Sequence, residues 1–292
     1  MRQSQIQKSE ELVREYFDSL RQRVFLRKDL YQILAEKHSL WELRKTMSVD
    51  AFIDHFKKTY LKEITLTSPN YDKSYTRFVW GRDVSIHQLS LSLKPRSYFT
   101  HYTAMCFHGL TDKTPSIIYV NSEQSQKFDR EADLEQESVD RAFKGKARTS
   151  KYIFIHKKWK VCCLNGINTN NLGVEEIEIE KEGKLPVTNL GRTLIDITVR
   201  PIYSGGCGEV LEAYKRAKEK ISVDLLVAML KKIKYIYPYH QAIGFYMQRA
   251  GFEVSSLNIL KKIGMKYDFY LDYDIKKKMY SKEWRIYYPQ NL

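Results

Sequence analysis

The side chains best suited to chemistry in this chain are an arginine and an aspartate on one predicted helix. Arg192 and Asp196 are four residues apart, a spacing that places both on one helix face, where they can pair with each other or with a groove. The alternative is a structural ion pair that holds the helix to a sheet. The 7 histidines are scattered without the spacing of metal ligands. We therefore expect no metal and no cofactor.

Enzymatic alternatives depend on weaker patterns. Glu182-Gly183-Lys184, with Asp196 downstream, resembles the carboxylate and lysine pair of a nuclease. Such a triplet is common by chance, and the further acid that a nuclease needs on a neighbouring strand cannot be identified. Thr100 and His101 could line a cleft, although a helix N-terminus capped by threonine is the commoner explanation. The chain is predicted not to be an enzyme, and a nuclease-like activity stays an alternative.

The composition indicates a folded protein with an anionic partner. Of its 292 residues 43% are hydrophobic and 13% aromatic, which is too much apolar surface for a disordered chain. The net charge of +14 favours nucleic acid, because neutralising phosphates releases counterions. The 4 cysteines show no C-x-x-C spacing, and no apolar run reaches the roughly 18 residues of a membrane span. We expect a soluble, cytoplasmic protein with no membrane partner.

Three amphipathic helices and a hairpin are predicted in residues 1–80. The apolar stripe of the first helix, over 9–21 with Ser9 as N-cap, consists of Leu12, Val13, Tyr16, Phe17 and Leu20. The second helix covers 28–37. The third begins at Ser48, whose hydroxyl can cap its first turn, and its buried face consists of Val49, Phe52, Ile53 and Phe56. Alternation over 61–67 and 75–80 around a Ser-Pro-Asn turn predicts the hairpin.

This order of elements is typical of a winged helix-turn-helix that binds DNA. At 100° per residue, the third helix turns four side chains away from the core and toward a major groove, namely Ala51, Asp54, His55 and Lys58. Three basic residues of the hairpin are predicted to contact phosphates, namely Lys62, Lys73 and Arg77. The alternative is that the same elements form a packing or dimerisation module.

A linker over 81–94 and a mixed α/β body over 95–252 follow. Strands are predicted at 116–120, 152–156, 159–164 and 174–179, and the alternating glutamates of the last one indicate a sheet edge. Helices are predicted over 97–108, from 189 to Pro201, after Gly205-Gly206, over 223–233 and over 238–250, the later ones as a small bundle. In the terminal extension, 253–292, Lys276-Lys277-Lys278 among tyrosines could bind unpaired bases and phosphates; the alternative is an edge hairpin with solvated lysines.

Several sequence blocks resemble one known family. They are SYFTHYTAMCFHGLTD (97–112), PSIIYV (115–120), VTNLGRTLIDITVRPIYSGGCGEVLEAY (187–214) and PYHQAIGFYMQRAGF (238–252). Together they resemble the AbiEi antitoxins of type IV abortive-infection toxin-antitoxin systems, and the RTLID block with the following RP and Gly-Gly turn is the most specific part. The chain differs from the commonest form in having Gly191 before Arg192, where an acidic residue often lies, and in the extension 253–292.

The resemblance implies an α+β fold, with an N-terminal winged helix followed by a mixed α/β body and a C-terminal helical bundle. It implies an autorepressor that binds its own promoter DNA. It also implies an antitoxin body that neutralises a nucleotidyltransferase-like toxin without a stable complex. The residues of this body singled out above are Thr100, His101, Arg192 and Asp196. The competing hypothesis is a transcription factor whose second body senses a ligand or mediates assembly; a neighbouring gene for a nucleotidyltransferase-like protein would separate the two.

Overall fold

A computed structural model describes residues 6, 9–72, 74–81, 83–126, 133–180 and 182–292. The chain divides into two compact units. Unit 1 comprises Met1–Arg96 and Tyr152–Val161, and unit 2 comprises Ser97–Lys151 and Cys162–Leu292. This division differs from the predicted domains at three places. The predicted linker 81–94 belongs to unit 1, a later segment joins that unit, and the extension 253–292 is part of unit 2.

Unit 1 combines helices with an antiparallel sheet. Its described elements are α1 Glu10–Ser19, β1 Val24–Phe25, α2 Arg27–Lys37, α3 Val49–Phe56, β2 Leu61–Thr67, β3 Ser74–Trp80, α4 Ile86–Leu91 and β6 Ile153–His156. The strand order is β1-β3-β2-β6. β2 and β3 pair over their full length, from Leu61 with Trp80 to Thr67 with Ser74. The predicted third helix and hairpin are therefore present, and the short strand β1 is added to the hairpin.

Aromatic packing holds α1, α3 and the sheet of unit 1 together. Phe17 of α1 stacks on Trp80 of β3 with ring centroids 4.4 Å apart, and Phe52 and Phe56 of α3 are buried beside them. Ser48 caps α3 as predicted, since its hydroxyl oxygen accepts a hydrogen bond from the Ala51 amide at 3.1 Å. Two predictions for α1 are wrong.

The first is that Leu12 belongs to the buried stripe; it is 46% exposed, because at 100° per residue it lies about 100° around the helix from Val13 and about 140° from Phe17, at the flank of the buried side. The second is that the Ser9 side chain caps α1, because its hydroxyl donates to the carbonyl of Trp41 instead.

Unit 2 is a mixed sheet with helices. Its described helices are α5 His101–Phe107, α6 Gln136–Lys144, α7 Leu190–Val199, α8 Cys207–Ala217, α9 Val223–Ile233, α10 Tyr239–Arg249 and α11 Val254–Lys261, with a 3-10 turn at Pro201–Tyr203. Its described strands are β4 Tyr98–Phe99, β5 Ile117–Asn121, β8 Val174–Ile179, β9 Gly183–Thr188, β10 Phe269–Tyr270, β11 Lys278–Ser281 and β12 Ile286–Pro289. β7, Trp159–Leu164, begins in unit 1 and ends in unit 2.

The main sheet of unit 2 has the order β5-β4-β9-β8. β4 runs parallel to β9 through Phe99 and Val187, whereas β8 and β9 are antiparallel. β8 lies at the end of this order, as its alternating glutamates predicted. Two strands depart from prediction. β4 occupies the start of the predicted helix 97–108, and β9 follows β8 after a short turn.

The C-terminal segment is an integral part of the core of unit 2. β12 pairs in parallel with β10 and antiparallel with β11, and Trp284, Ile286 and Phe269 are completely buried. α10 accommodates Trp284 at Gly244, where a Cβ atom would lie 2.0 Å from the indole. The extension is therefore folded against the helices that precede it. In the part of the chain that the structure describes, no helix has both the length and the apolar character that crossing a membrane requires.

Candidate functional site

The outer face of α3 is the candidate nucleic-acid interface of unit 1. Val49, Phe52, Ile53 and Phe56 are buried, so the opposite face is turned to solvent. Ala51 and Asp54 are exposed on it, and Lys58 is exposed in the turn directly after the helix. A small side chain, a carboxylate and an ammonium group can address base edges and phosphates. The predicted division of α3 into two faces is therefore present in the fold.

His55 is less available than its three neighbours on this face. Its imidazole is half-buried, lies edge-on to the ring of Phe56 with centroids 5.0 Å apart, and has Nε2 3.7 Å from the Glu10 carboxylate. These contacts fix the ring against α1. His55 therefore belongs to the rim of the face and not to its centre.

The two basic residues of the hairpin that the structure describes, Lys62 and Arg77, have different environments. The ammonium group of Lys62 is exposed and lies 2.6 Å from the carboxylate of Asp83. Arg77 is only 4% exposed, and its guanidinium donates to the carbonyl oxygen of Ser92 at 2.9 Å. The prediction that Arg77 contacts phosphate is wrong, because the segment after α4 covers it and supplies its hydrogen-bond acceptors. Lys73 lies outside the described residues.

The charge around α3 is mixed. Arg27 of α2 forms a bidentate ion pair with Asp50 in the first turn of α3, with Nε 3.1 Å from Oδ1 and Nη2 2.7 Å from Oδ2. Lys57 pairs with Glu63 of β2. Within each pair the positive and the negative charge cancel. The positive charge of the exposed face of α3 is therefore that of Lys58.

A buried polar network is the second candidate site, and it lies in unit 2. Arg192 Nε donates to Asp196 Oδ1 at 2.8 Å, one turn further along α7, and both side chains are less than a tenth exposed. The Arg192 Nη1 atom donates to the carbonyl oxygen of Leu172 at 2.7 Å. Burial alone would lower the pKa of Arg192, but the adjacent Asp196 carboxylate outweighs it, so the pKa lies above its usual value. The predicted pairing of these two residues is present.

The other oxygen of Asp196 binds a segment that is distant in sequence. Thr100 Oγ1 donates to Asp196 Oδ2 at 2.9 Å and lies 3.0 Å from His101 Nδ1. Because the hydroxyl donates to the carboxylate, its oxygen accepts from His101, so Nδ1 carries the proton and Nε2 does not. The four residues that the sequence singles out in the body are thus linked by one continuous series of hydrogen bonds. Thr100 does not use its side chain to cap α5.

His101 is strained and desolvated. Its φ of 51° lies in the left-handed region, where non-glycine residues are uncommon. Burial lowers the pKa of its imidazole to about 4, and Nε2 has no hydrogen-bond partner among the described residues. The ring of Tyr203 meets it edge-on at 5.5 Å. His101 is therefore held neutral, between an ionic network and tyrosine rings.

Sequence reasoning missed the acidic end of this network. Glu123 follows β5 and accepts hydrogen bonds from the amide of Thr169 at 2.7 Å and the hydroxyl of Tyr98 at 3.1 Å. Its carboxylate lies 4.0 Å from Arg192 Nη2. Burial alone would raise the pKa of Glu123, but the hydrogen bonds from Thr169 outweigh burial, so the pKa lies below its usual value. The sequence signal is the run Asn168-Thr169-Asn170-Asn171, whose turn conformation aims amides at one acceptor.

The network has the features of a structural site. Asp196 is already bound by Arg192 and Thr100, so the nuclease-like role considered for it would require both contacts to be broken. Groups of three or more side chains placed to hold a metal ion are absent from the described ranges. The network fixes α7 to segments beside the sheet, which is the more ordinary of the two roles predicted for Arg192 and Asp196.

Comparison with known proteins supports the fold. No family model and no curated protein matches the chain. The structure is similar to the crystal structure of the RV2827C protein from Mycobacterium tuberculosis, with a TM-score of 0.58. The two are 12% identical, and the match covers 97% of this chain and 91% of that chain. At this identity the likeness concerns the fold alone.

Proposed function

We propose that the chain is a DNA-binding repressor that uses unit 1 as a winged helix. The observation that carries the proposal is the order α1-β1-α2-α3-β2-β3, together with the exposed face of α3 that bears Ala51, Asp54 and Lys58. A helix whose apolar side packs against its own domain and whose polar side faces solvent can enter a major groove. The net charge of +14 supports an anionic partner.

We further propose that it acts as an antitoxin, repressing its own operon and neutralising a nucleotidyltransferase-like toxin through unit 2 without a stable complex. This part is supported by the resemblance of the blocks over 97–252 to AbiEi antitoxins. The blocks include the RTLID segment, whose Arg192 and Asp196 are central to the buried network. A role for these two residues in shaping unit 2 agrees with their burial.

The DNA proposal is tested by binding of the full chain to its own promoter DNA in gel-shift and fluorescence-anisotropy titrations. We expect preference for promoter over scrambled duplex of equal length. The variant Ala51→Glu introduces a carboxylate at the centre of the exposed face of α3 without touching the core, and is expected to abolish the preference. Lys262→Glu, an exposed change on unit 2, is the matched control. Equal affinity of the wild-type chain for promoter and scrambled DNA would reject the proposal.

The antitoxin proposal is tested by co-expression of the full chain with the product of a neighbouring nucleotidyltransferase-like gene. Growth rescue is expected for both the wild-type chain and Ala51→Glu, because neutralisation is assigned to unit 2. Loss of rescue in a folded Ala51→Glu variant would contradict a separate neutralising body. Absence of any rescue by the wild-type chain would reject the antitoxin function while leaving DNA binding intact.

A further inference from the structure

We infer that the C-terminal strand β11 binds an extended, acidic peptide segment of a partner protein by strand addition. β11, Lys278–Ser281, lies at the end of the order β10-β12-β11, so within the described part of the chain its strand partner is β12 and its other side is a free edge. Residues 276–280 are all exposed. The site belongs to unit 2 alone, and the inference depends neither on DNA binding nor on the antitoxin function.

The hydrogen bonds of β12 show to which side each of its residues points. The amide of Leu271, directly after β10, donates to the carbonyl oxygen of Tyr287 at 2.8 Å, so Tyr287 points to β10. Neighbouring residues of a strand point to opposite sides, so Tyr288 points to β11. Its partner in the antiparallel register is Met279. The N–H and C=O groups of Met279 therefore point to β12.

It follows that the N–H and C=O groups of Lys278 and Tyr280, the residues on either side, point away from β12 and toward solvent. Two further observations agree with this alternation. The amide of Gln290 donates to the carbonyl oxygen of Lys277 at 2.9 Å, so Lys277 points to β12. The residue opposite Lys278 is Pro289, which has no N–H to donate. The free edge of β11 therefore presents alternating main-chain donors and acceptors.

An exposed strand edge of this kind is a template for another strand. The main chain of an extended peptide offers the matching acceptors and donors, as in other cases of strand addition. Met279 is 47% and Tyr280 39% exposed, and they lie on opposite faces because they are adjacent in the strand. Both faces of an added strand would therefore find apolar surface beside β11.

The charge at this edge favours an acidic occupant. Three carboxylates of this segment are already paired with cations, namely Asp274 with Lys276, Glu283 with Lys261 and Asp268 with Arg285. A fourth, Asp272, is half-buried and accepts from the thiol of Cys207. By contrast, Lys277, Lys278 and Lys282 are exposed and have no carboxylate partner in the part of the chain that the structure describes. These three lysines complement the carboxylates of an added strand.

Single-stranded nucleic acid fits this edge less well. Binding of unpaired bases depends on stacking with aromatic rings, but the ring of Tyr280 lies 4.8 Å from that of Tyr287 and its hydroxyl donates to Asp268. Tyr273 stacks on Phe143 instead. A phosphate would also meet the outward carbonyl oxygens of β11, whereas a peptide amide donates to them.

A second copy of β11 fits less well too, because antiparallel pairing of two such edges would set lysine against lysine, which destabilises a strand pair. The occupant that satisfies both the backbone groups and the charge of the edge is an acidic peptide.

The first experiment titrates the full chain into a fluorescent, N-acetylated and C-amidated hexapeptide of sequence Glu-Val-Glu-Val-Glu-Val. Fluorescence anisotropy is expected to show saturable binding that weakens with salt, whereas a Lys-Val-Lys-Val-Lys-Val peptide is expected not to bind. The acidic peptide with every amide N-methylated keeps its carboxylates and lacks its main-chain donors. It is expected to bind at least about tenfold more weakly.

Amide hydrogen exchange, followed by NMR, locates the pairing residue by residue. The N–H groups of Lys278 and Tyr280 point to solvent, so their exchange is expected to slow several-fold when the acidic peptide saturates the chain. Met279, whose N–H points to β12 in the free chain, is the internal control and should change little.

Two variants of one residue separate the main-chain bond from the charge. Lys278→Pro and Lys278→Ala remove the same ammonium group, but only proline removes the outward N–H, at the first residue of an edge strand, where proline is tolerated. Lys278→Pro is expected to bind the acidic peptide roughly three- to tenfold more weakly than Lys278→Ala. Circular dichroism confirms that both variants are folded.

The charge is tested by the double variant Lys277→Gln with Lys282→Gln, which is expected to bind the acidic peptide more weakly and with a smaller dependence on salt. Lys232→Gln, a change of an exposed lysine on α9, is the matched control and should bind as the wild type does.

Four results would overturn the inference. The first is equal binding of the N-methylated peptide, or unchanged exchange at Lys278 and Tyr280, since either would exclude main-chain pairing. The second is no binding of the acidic peptide up to about 1 mM, a concentration at which even weak contacts saturate. The third is a double lysine variant that loses affinity for a single-stranded oligothymidylate and keeps it for the peptide, which would assign the lysines to nucleic acid. The fourth is self-association in size-exclusion chromatography that Lys278→Pro abolishes, which would assign the edge to a second copy of the chain.

Discussion

Arg192 and Asp196 form a buried ion pair whose two members also tie together segments far apart in sequence. The Nε to Oδ1 distance is 2.8 Å. The same carboxylate accepts from Thr100, and the same guanidinium donates to Leu172. Removing one partner of such a pair leaves a buried charge without compensation, which costs about 3–5 kcal/mol.

Asp196→Asn is therefore expected to lower the free energy of unfolding by about 3 kcal/mol or more, measured by urea denaturation followed by circular dichroism. The control is Glu212→Gln, which removes one partner of the exposed Glu212–Lys215 pair of α8. An exposed pair contributes little, so this variant should unfold with the wild type. A wild-type midpoint for Asp196→Asn would show that the buried pair does not hold unit 2 together.

Because His101 is buried, we expect the free energy of unfolding to depend on pH. Its pKa is about 4 in the folded protein because of burial, against about 6.5 in an unfolded chain. Between these two pH values the folded state binds fewer protons than the unfolded chain. The contribution of neutral His101 to the free energy of unfolding is therefore complete above about pH 6.5 and is lost as the pH falls toward 4. At about 1.4 kcal/mol per unit of pKa, the loss amounts to roughly 3 kcal/mol.

The control for this prediction is His101→Asn. Asparagine tolerates the left-handed backbone and does not titrate, while His108 and His240, whose pKa values burial also lowers, remain in both proteins. Urea denaturation at a series of pH values between 4 and 7.5 should give a smaller loss of stability for the variant. Parallel curves for the two proteins would mean that His101 is not held neutral by the fold.

Local signals in the sequence were sufficient for elements that one segment determines. The Ser48 cap and the apolar side of α3 follow from residues within one or two turns, and α9 was predicted with its observed limits, 223–233. The signals were insufficient wherever a distant segment decides the outcome. Thr100 meets Asp196 across 96 positions, and Arg77 is buried because Ser92 supplies its acceptors. No periodicity within either segment carries that information.

Gly244 is expected to be intolerant of any side chain. A Cβ atom there would lie 2.0 Å from Cζ3 of the buried Trp284, whose Nε1 donates to Gln248 on the same helix at 2.8 Å. Gly244→Ala should lower the free energy of unfolding by about 1–3 kcal/mol or more. It should also increase the quenching of tryptophan fluorescence by acrylamide, because the indole ring of Trp284 becomes more exposed. Gly208→Ala on α8, where nothing lies within 4 Å, should be neutral or slightly stabilising. Equal effects of the two substitutions would contradict the close approach of Trp284 to α10.

Substitutions of Lys58 and Arg77 distinguish a residue expected to contact DNA, Lys58, from one expected to stabilise the fold, Arg77. Lys58 is exposed beside the outer face of α3, so Lys58→Ala is expected to weaken promoter binding and to reduce the slope of log affinity against log salt by about one, with no change in stability. Arg77→Ala leaves the Ser92 carbonyl without its buried donor and should lower the free energy of unfolding by about 1–3 kcal/mol. Its salt slope should equal that of the wild type wherever the protein is folded. Anisotropy titrations between low and physiological salt, with urea denaturation on the same samples, give both quantities. A reduced slope in Arg77→Ala with an unchanged slope in Lys58→Ala would reverse the assignment and require DNA to lie against the other side of the hairpin.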